Sequence, residues 1–144
     1  MKKVLFLGML LLTGCATLDM NMLDWIPIGP EFSPTDPDKI EIVSSTQDIK
    51  RTYGVLGLLR VKDLKEDHES VRLGVEKGRK FIASKGADAM MLGQYNSASD
   101  GVPNPRITLI IYAIKYKDTL TEKDKKALED FEVLGILNES AANR

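Results

Sequence analysis

The segment "RITLIIYAIKY" (106–116) restricts the fold of this chain more than any other stretch. Apolar side chains fill both alternating sets of positions, which are Ile107, Leu109 and Ile111 on one side and Ile110, Tyr112 and Ile114 on the other. Successive side chains of a strand point to opposite faces of its sheet. A strand that is apolar on both faces favours a central position with both faces covered. We therefore predict a central strand here.

Three further segments have the pattern of strands. They are "KIEIVSS" (39–45), "YGVLGLLRV" (53–61) and "ADAMMLGQY" (87–95). Between the third strand and 106–116, "NSASDGVPNP" (96–105) is rich in turn formers, so it predicts a ten-residue hairpin loop.

Two segments predict helices. In 63–86, four residues recur at intervals of 4, 3 and 4, which places them on one helical face: Val71, Val75, Gly78 and Ile82. Asp63 or Asp67 can cap the start, and Gly86 can end the helix. A second helix is predicted over 119–137, followed by a frayed tail. The order β-β-α-β-β-α predicts an α+β fold with a four-stranded sheet. One helix covers one face, and the last helix or a partner covers the other.

The first residues have the order of a secretory signal. Lys2 and Lys3 precede an apolar run over 4–12, and a small residue, Gly14, comes just before Cys15. A short cationic segment, an apolar run and small residues are typical of such a signal. The run is too short to cross a bilayer, which takes about 20 residues. We predict that residues 1–14 form a signal peptide.

The end of this segment, Leu12-Thr13-Gly14-Cys15, resembles the lipobox of bacterial lipoproteins. The resemblance implies cleavage between Gly14 and Cys15, a diacylglycerol on the Cys15 thiol and acylation of the new amine. Ala16, rather than Asp, follows the cysteine, which by the same resemblance implies the outer membrane. The single cysteine of the chain is thereby explained, because exported proteins usually pair their cysteines. We expect a lipid-anchored envelope protein that faces the periplasm.

Residues 15–38 contain the lipidated cysteine and four prolines, at positions 27, 30, 34 and 37. Proline favours extended backbone, so the segment predicts a semi-rigid tether with a reach of about 70 Å. Trp25 either packs on the domain or rests at lipid headgroups. The predicted organisation is then a domain over 39–118 and a C-terminal helix with its tail over 119–144.

Charge and composition do not indicate a group of residues typical of catalysis, metal binding or nucleic-acid binding. The net charge is −1, and it would be −3 without residues 1–14; cations and anions are interspersed. Without a basic stripe we expect no nucleic-acid partner. The sole histidine, His68, lies between Asp67 and Glu69 and is interpreted as a solvated surface residue. We predict no catalytic residue, no metal site, no cofactor and no enzymatic activity.

"VSSTQDIKRTYGVLGLLRV" and "GRKFIASKGADAMMLGQY" together resemble the small domains of the YbjQ-like and RcsF-like groups. The resemblance covers about residues 39–116 and implies one helix packed on an antiparallel or mixed sheet. YbjQ-like proteins are similar to ring-forming oligomers and have carried a heavy-metal-binding label. RcsF-like proteins are outer-membrane lipoproteins that report envelope stress. Their domains contain disulfides, which this chain cannot form with Cys15 alone, and no functional residue of either group maps here.

These observations predict an accessory factor of the cell envelope that acts by protein contact, in assembly or stress sensing. The alternatives are a lipoprotein that binds a small ligand or a metal, and a homo-oligomeric structural protein. Exposed residues of the second predicted strand and of the 96–105 loop are the candidate contact surfaces.

Overall fold

The computed structural model describes residues 22–93, 96–97 and 103–130. Its strands are β1 (Leu23–Pro27), β2 (Glu41–Val43), β3 (Tyr53–Lys65), β4 (Ala89–Leu92), β5 (Asn96–Ser97) and β6 (Arg106–Tyr116). The helix α1 spans His68–Ser84, and a second helix, α2, covers 122–130 within the described residues. The predicted signal peptide, the cleavage site at Gly14 and Cys15, the loop tip 98–102 and the tail lie outside the described residues.

The strands form one mixed sheet in the order β1-β3-β6-β4-β2, with β5 also paired to β6. Only β2 and β4 are parallel among the described pairs. The α+β class and the central position of 106–116 are confirmed. The prediction of four strands is wrong, because β1 and β5 were not anticipated: β1 lies in the proline-containing segment, and β5 has two residues.

The predicted tether does not hold for residues 22–38. β1 pairs antiparallel with β3, from Leu23 opposite Val61 to Pro27 opposite Gly57. Further along, the amide of Gly29 donates to the carbonyl of Leu56, and two more amides of the segment donate to carbonyls at the end of α1. Proline is tolerated here because β1 is an edge strand. The folded domain thus begins by residue 22, not at 39, and the rest of the predicted tether lies outside the described residues.

Helix α1 begins at His68, five residues later than predicted. β3 continues to Lys65, so the chain is still extended where the helix was expected. The carboxylate of Asp67 accepts a 2.8 Å hydrogen bond from the amide of Ser70 and thereby caps the helix. After the helix, Gly86 has φ of +85°, the left-handed conformation that glycine adopts most readily.

The main core lies between α1 and one face of the sheet. Its most deeply buried side chains come from both, and include Leu59, Val61, Ile82, Ile107 and Ile111. The predicted helix face is confirmed, since Gly78 and Ile82 are buried and Val71 and Val75 pack against the core. Gly78 allows this close approach, because a Cβ there would overlap the Cδ1 atom of Ile111.

Helix α2 lies on the same face as α1. Its Leu128 is fully buried, and the side chain lies where a Cβ on Gly54 would be. Gly54 is opposite Lys115, which shares a face of β6 with Ile111. The prediction that the last helix covers the opposite face is therefore wrong for 122–130. On that opposite face, Ile49 packs against a second, smaller cluster: Val43, Ala89, Ile114 and Tyr116.

Within the part of the chain that the structure describes, no helix is long and apolar enough to cross a membrane.

We expect Gly57→Ala to detach β1. A Cβ atom at position 57 would overlap the Trp25 ring and lie 2.7 Å from the backbone oxygen of Ile26. Overpacking of this kind costs about 1–3 kcal/mol. Trp25 is the only tryptophan, so its fluorescence reports the result directly: a red shift in the variant. Ser33→Ala, at an exposed position, is the control. An unshifted spectrum with unchanged stability would contradict the packing of Trp25 on Gly57.

Candidate functional site

The strand directions give the domain two distinct ends. At the Leu23 end, β1 and β6 begin, β3 finishes and α1 begins. At the Tyr116 end, β6 finishes and β2 and β3 begin. β6 has 11 residues, and a strand rises about 3.3 Å per residue, so the two ends lie about 35 Å apart. Chemically distinct surfaces occupy these ends.

A polar cleft of about 310 Å³ lies at the Tyr116 end. Separate segments of the chain supply its lining, which includes Asp36, Lys39, Glu41, Arg51, Asp88 and Tyr116. The strands β2, β3 and β4 begin at this end, and β6 finishes here. Residues that are far apart in the sequence therefore meet in the cleft. We call this surface the polar cleft.

Tyr116 is the centre of the polar cleft. Its hydroxyl donates a 2.7 Å hydrogen bond to Oε2 of Glu41, and the guanidinium carbon of Arg51 lies 3.9 Å from the centre of its ring. Burial, followed by the hydrogen bond and charge of Glu41, raises the pKa of Tyr116 from 10.0 to about 12. At neutral pH the phenol is therefore protonated and acts as a hydrogen-bond donor.

Arg51 connects the cleft to the segment after β6. Its Nε and a terminal nitrogen donate to the two carboxylate oxygens of Asp118, at 2.8 and 2.5 Å. This paired geometry matches the planar guanidinium to the carboxylate. The hydrogen bond from Arg51 lowers the pKa of Asp118. Both side chains are about half exposed, so the pair contributes more to the position of Arg51 over Tyr116 than to stability.

Asp88 and Lys115 form the buried ion pair of the cleft. The Nζ–Oδ1 distance is 2.8 Å, and the side chains are 8% exposed for Lys115 and 18% for Asp88. Asp88 also accepts from the amide of Tyr116 at 3.0 Å and from the hydroxyl of Thr119 at 3.1 Å. A carboxylate with three donors is well satisfied. It fixes the end of β6 against the start of β4.

Hydrogen bonds within the fold engage the hydroxyl groups of the polar cleft, and its rim is charged. The Tyr116 hydroxyl donates to Glu41 and the Thr119 hydroxyl to Asp88. At the rim, Lys39 is 83% exposed and Asp36 50%, and their charged atoms are 3.9 Å apart. These two opposite charges at the rim can meet a polar, charge-bearing segment of a partner. Among the described residues, no three His, Cys, Asp or Glu side chains are grouped to hold a metal ion.

Sequence reasoning did not find this cleft. His68 is the first residue of α1, exposed and at the opposite end of the domain. Of the candidate loop 96–105, the backbone at 96–97 pairs with β6, and 98–102 lies outside the described residues. Tyr116 ends the strand predicted over 106–116 and was not among the candidate contact surfaces. No local motif marks the cleft, because Glu41, Arg51 and Asp88 come from separate segments and meet only through the order of the strands.

We expect Asp88→Asn to destabilise the domain strongly. The change leaves the Lys115 ammonium buried without its counter-charge, which costs about 3 kcal/mol. Chemical denaturation measures the loss. The double variant Asp88→Asn/Lys115→Met removes both charges and should recover most of the stability. Equal stability of the wild type and the single variant would contradict the role of this ion pair.

The phenol of Tyr116, one of four tyrosines in the chain, should ionise at a higher pH than an ordinary tyrosine. Absorbance at 295 nm should show one of four phenols ionising near pH 12, and Tyr116→Phe should remove that step. Because the folded state holds this proton more tightly than the unfolded state, the contribution to stability is full below pH 10 and is lost between about pH 10 and 12. Glu41→Gln should move the step to lower pH. The absence in the folded wild type of any step near pH 12 that Tyr116→Phe removes would contradict the prediction.

Comparison with protein-family models and with curated proteins found no match. Among solved structures, the chain is similar to a crystal structure of a Francisella virulence factor, FvfA, with 18% sequence identity and a TM-score of 0.45. The aligned region covers 63% of this chain and 94% of that chain.

Proposed function

We propose that this chain is a lipoprotein of the bacterial cell envelope that binds a protein partner through the polar cleft. It is anchored in the outer membrane by acyl chains on Cys15 and faces the periplasm. Its role is that of an accessory factor in assembly or stress sensing, without catalysis of its own.

The order of features in residues 1–15 carries the proposal. A cationic start, an apolar run, small residues and a cysteine follow one another as lipidation requires. Each methylene group of an acyl chain contributes about 0.8 kcal/mol when buried, so two or more chains give stable anchoring. Ala16 after the cysteine supports the outer membrane as the destination.

The geometry of the domain is consistent with this anchoring. Seven residue steps separate Cys15 from Met22, the first described residue. A chain of that length spans at most about 25 Å. The Leu23 end is therefore held near the bilayer, whereas the polar cleft lies at the other end, about 35 Å further along β6. An anchored domain would thus offer the cleft to periplasmic proteins.

The composition of the cleft supports a protein as the ligand. Lys39 and Asp36 at the rim carry opposite charges and are largely exposed. The Arg51 guanidinium, about half exposed, lies over the buried Tyr116 ring, and arginine is enriched at protein interfaces. A polar peptide segment with both charge signs fits this lining better than a small apolar molecule does.

We expect both parts of the proposal to be visible in one experiment on living cells. The wild type should incorporate an alkyne-labelled fatty acid and stay in the outer-membrane fraction, because Cys15 is acylated; Cys15→Ser should lose both properties. A photocrosslinking amino acid at position 39, on the cleft rim, should capture a partner in stoichiometric amounts. The same amino acid at position 80, an exposed site on α1, is the matched control.

Each outcome has a defined meaning. Acylation of Cys15→Ser, or its retention in the membrane after a carbonate wash, would contradict lipid anchoring. Crosslinks only between copies of this chain would replace the accessory role with a homo-oligomeric structural one. The absence of any crosslink at position 39 would count against a protein partner and favour the small-ligand alternative.

A further inference from the structure

A second surface, which we call the basal groove, lies at the Leu23 end. It has a volume of about 170 Å³ and runs between the end of β3, the first turns of α1 and Met22. Its position distinguishes it from the polar cleft, because it lies where the chain leaves the domain toward Cys15.

Apolar groups form part of the basal groove. Leu73 lines the groove and is 46% exposed, so its aliphatic side chain is accessible from solvent. Beside it, Gly74 is buried, so the helix backbone lies close to Leu64. Met22 adds a half-buried thioether side chain.

Three cations surround these apolar groups: Lys65, Lys77 and Arg106. Asp63 is the carboxylate among the lining residues, and its backbone carbonyl accepts from Arg106 at 3.1 Å. Among the described residues, no carboxylate lies within 4 Å of the charged nitrogens of these three cations. Among the residues that line the groove, cations outnumber carboxylates three to one.

Two nearby carboxylates, Asp24 and Glu69, are paired with cations outside the groove. Asp24 pairs with Arg60 and Lys62, which lowers the pKa of Asp24. Asp67 caps α1, and Glu69 forms two hydrogen bonds with Arg72. Asp67 keeps its charge and interacts electrostatically with Lys65, and Glu66 lines the adjoining surface beside Lys65 and Arg106.

We propose that the basal groove rests on the phospholipid headgroups of the membrane that holds the lipid anchor. The three cations contact lipid phosphates, and Leu73 enters the interface between headgroups and acyl chains. Basic residues around an exposed apolar side chain are the composition of interfacial membrane contacts. The inference rests on the proposed lipid anchoring.

The short connection between Cys15 and Met22 favours a membrane, rather than a protein, as the surface that the basal groove contacts. At most about 25 Å separates Cys15 from Met22, which itself lines the groove. An anchored Cys15 thus keeps the groove within that distance of phosphates at high local concentration. Contact with the headgroups fixes the domain upright, with the polar cleft directed away from the bilayer.

The test uses the full acylated protein in vesicles of phosphatidylethanolamine and phosphatidylglycerol. Because Cys15 is acylated, a cysteine introduced at position 73 is the only free thiol and accepts an environment-sensitive fluorophore. Gln47→Cys, exposed and between β2 and β3, is the matched control at the far side of the domain. The vesicles also contain lipids with a nitroxide on the headgroup, which quenches fluorophores that it contacts.

The fluorophore at position 73 should shift to the blue and lose most of its emission to the nitroxide, whereas that at position 47 should do neither. Reversing the three cations to Glu should abolish the quenching at 73, while circular dichroism and vesicle flotation stay unchanged. Equal, weak quenching at 73 and 47 in protein that floats with the vesicles would overturn the groove contact and leave the anchoring intact. Protein that does not float would overturn the anchoring and the contact together.

Discussion

The antiparallel pairing of β1 with β3 is the interaction on which the rest of this structure depends. It holds five residues of a proline-containing segment at the edge of the sheet and packs Trp25 5.7 Å from Phe81, ring centre to ring centre. The chain therefore enters the domain at one defined place. Cys15, where we propose a lipid anchor, lies at most about 25 Å from that place, because seven residue steps separate it from Met22.

From this pairing the two ends of the domain acquire different roles. The Leu23 end has an exposed leucine beside three cations, and we infer that it contacts lipid headgroups. The Tyr116 end has a polar cleft whose internal charges are paired: Arg51 with Asp118 and Lys115 with Asp88. These pairs hold the Tyr116 ring in position, and at the exposed rim charges of Lys39 and Asp36 we propose that a partner binds. The proposed function thus uses opposite ends of one sheet.

Much of the fold is predictable from local patterns, and the candidate site is not. The apolar run 106–116 identifies the central strand because both its faces are apolar, and the spacing of Val71 to Ile82 identifies the buried face of α1. The strand β1 could not be predicted, because a segment with prolines is compatible with an extended tether and with an edge strand alike. The cleft could not be predicted either. Glu41 and Arg51 reach Tyr116 only through the order of the strands, and no local sequence pattern encodes that order.

The most direct test of the account is amide hydrogen exchange over residues 23–26 in the acylated, vesicle-bound protein. If β1 is a strand of the sheet, the amides that it donates to β3 exchange as slowly as those of β3 itself, and the domain is held close to the bilayer. Exchange at the rate of an unstructured peptide throughout 23–26 would show a long tether, and both the fixed orientation and the division of roles between the two ends would be contradicted.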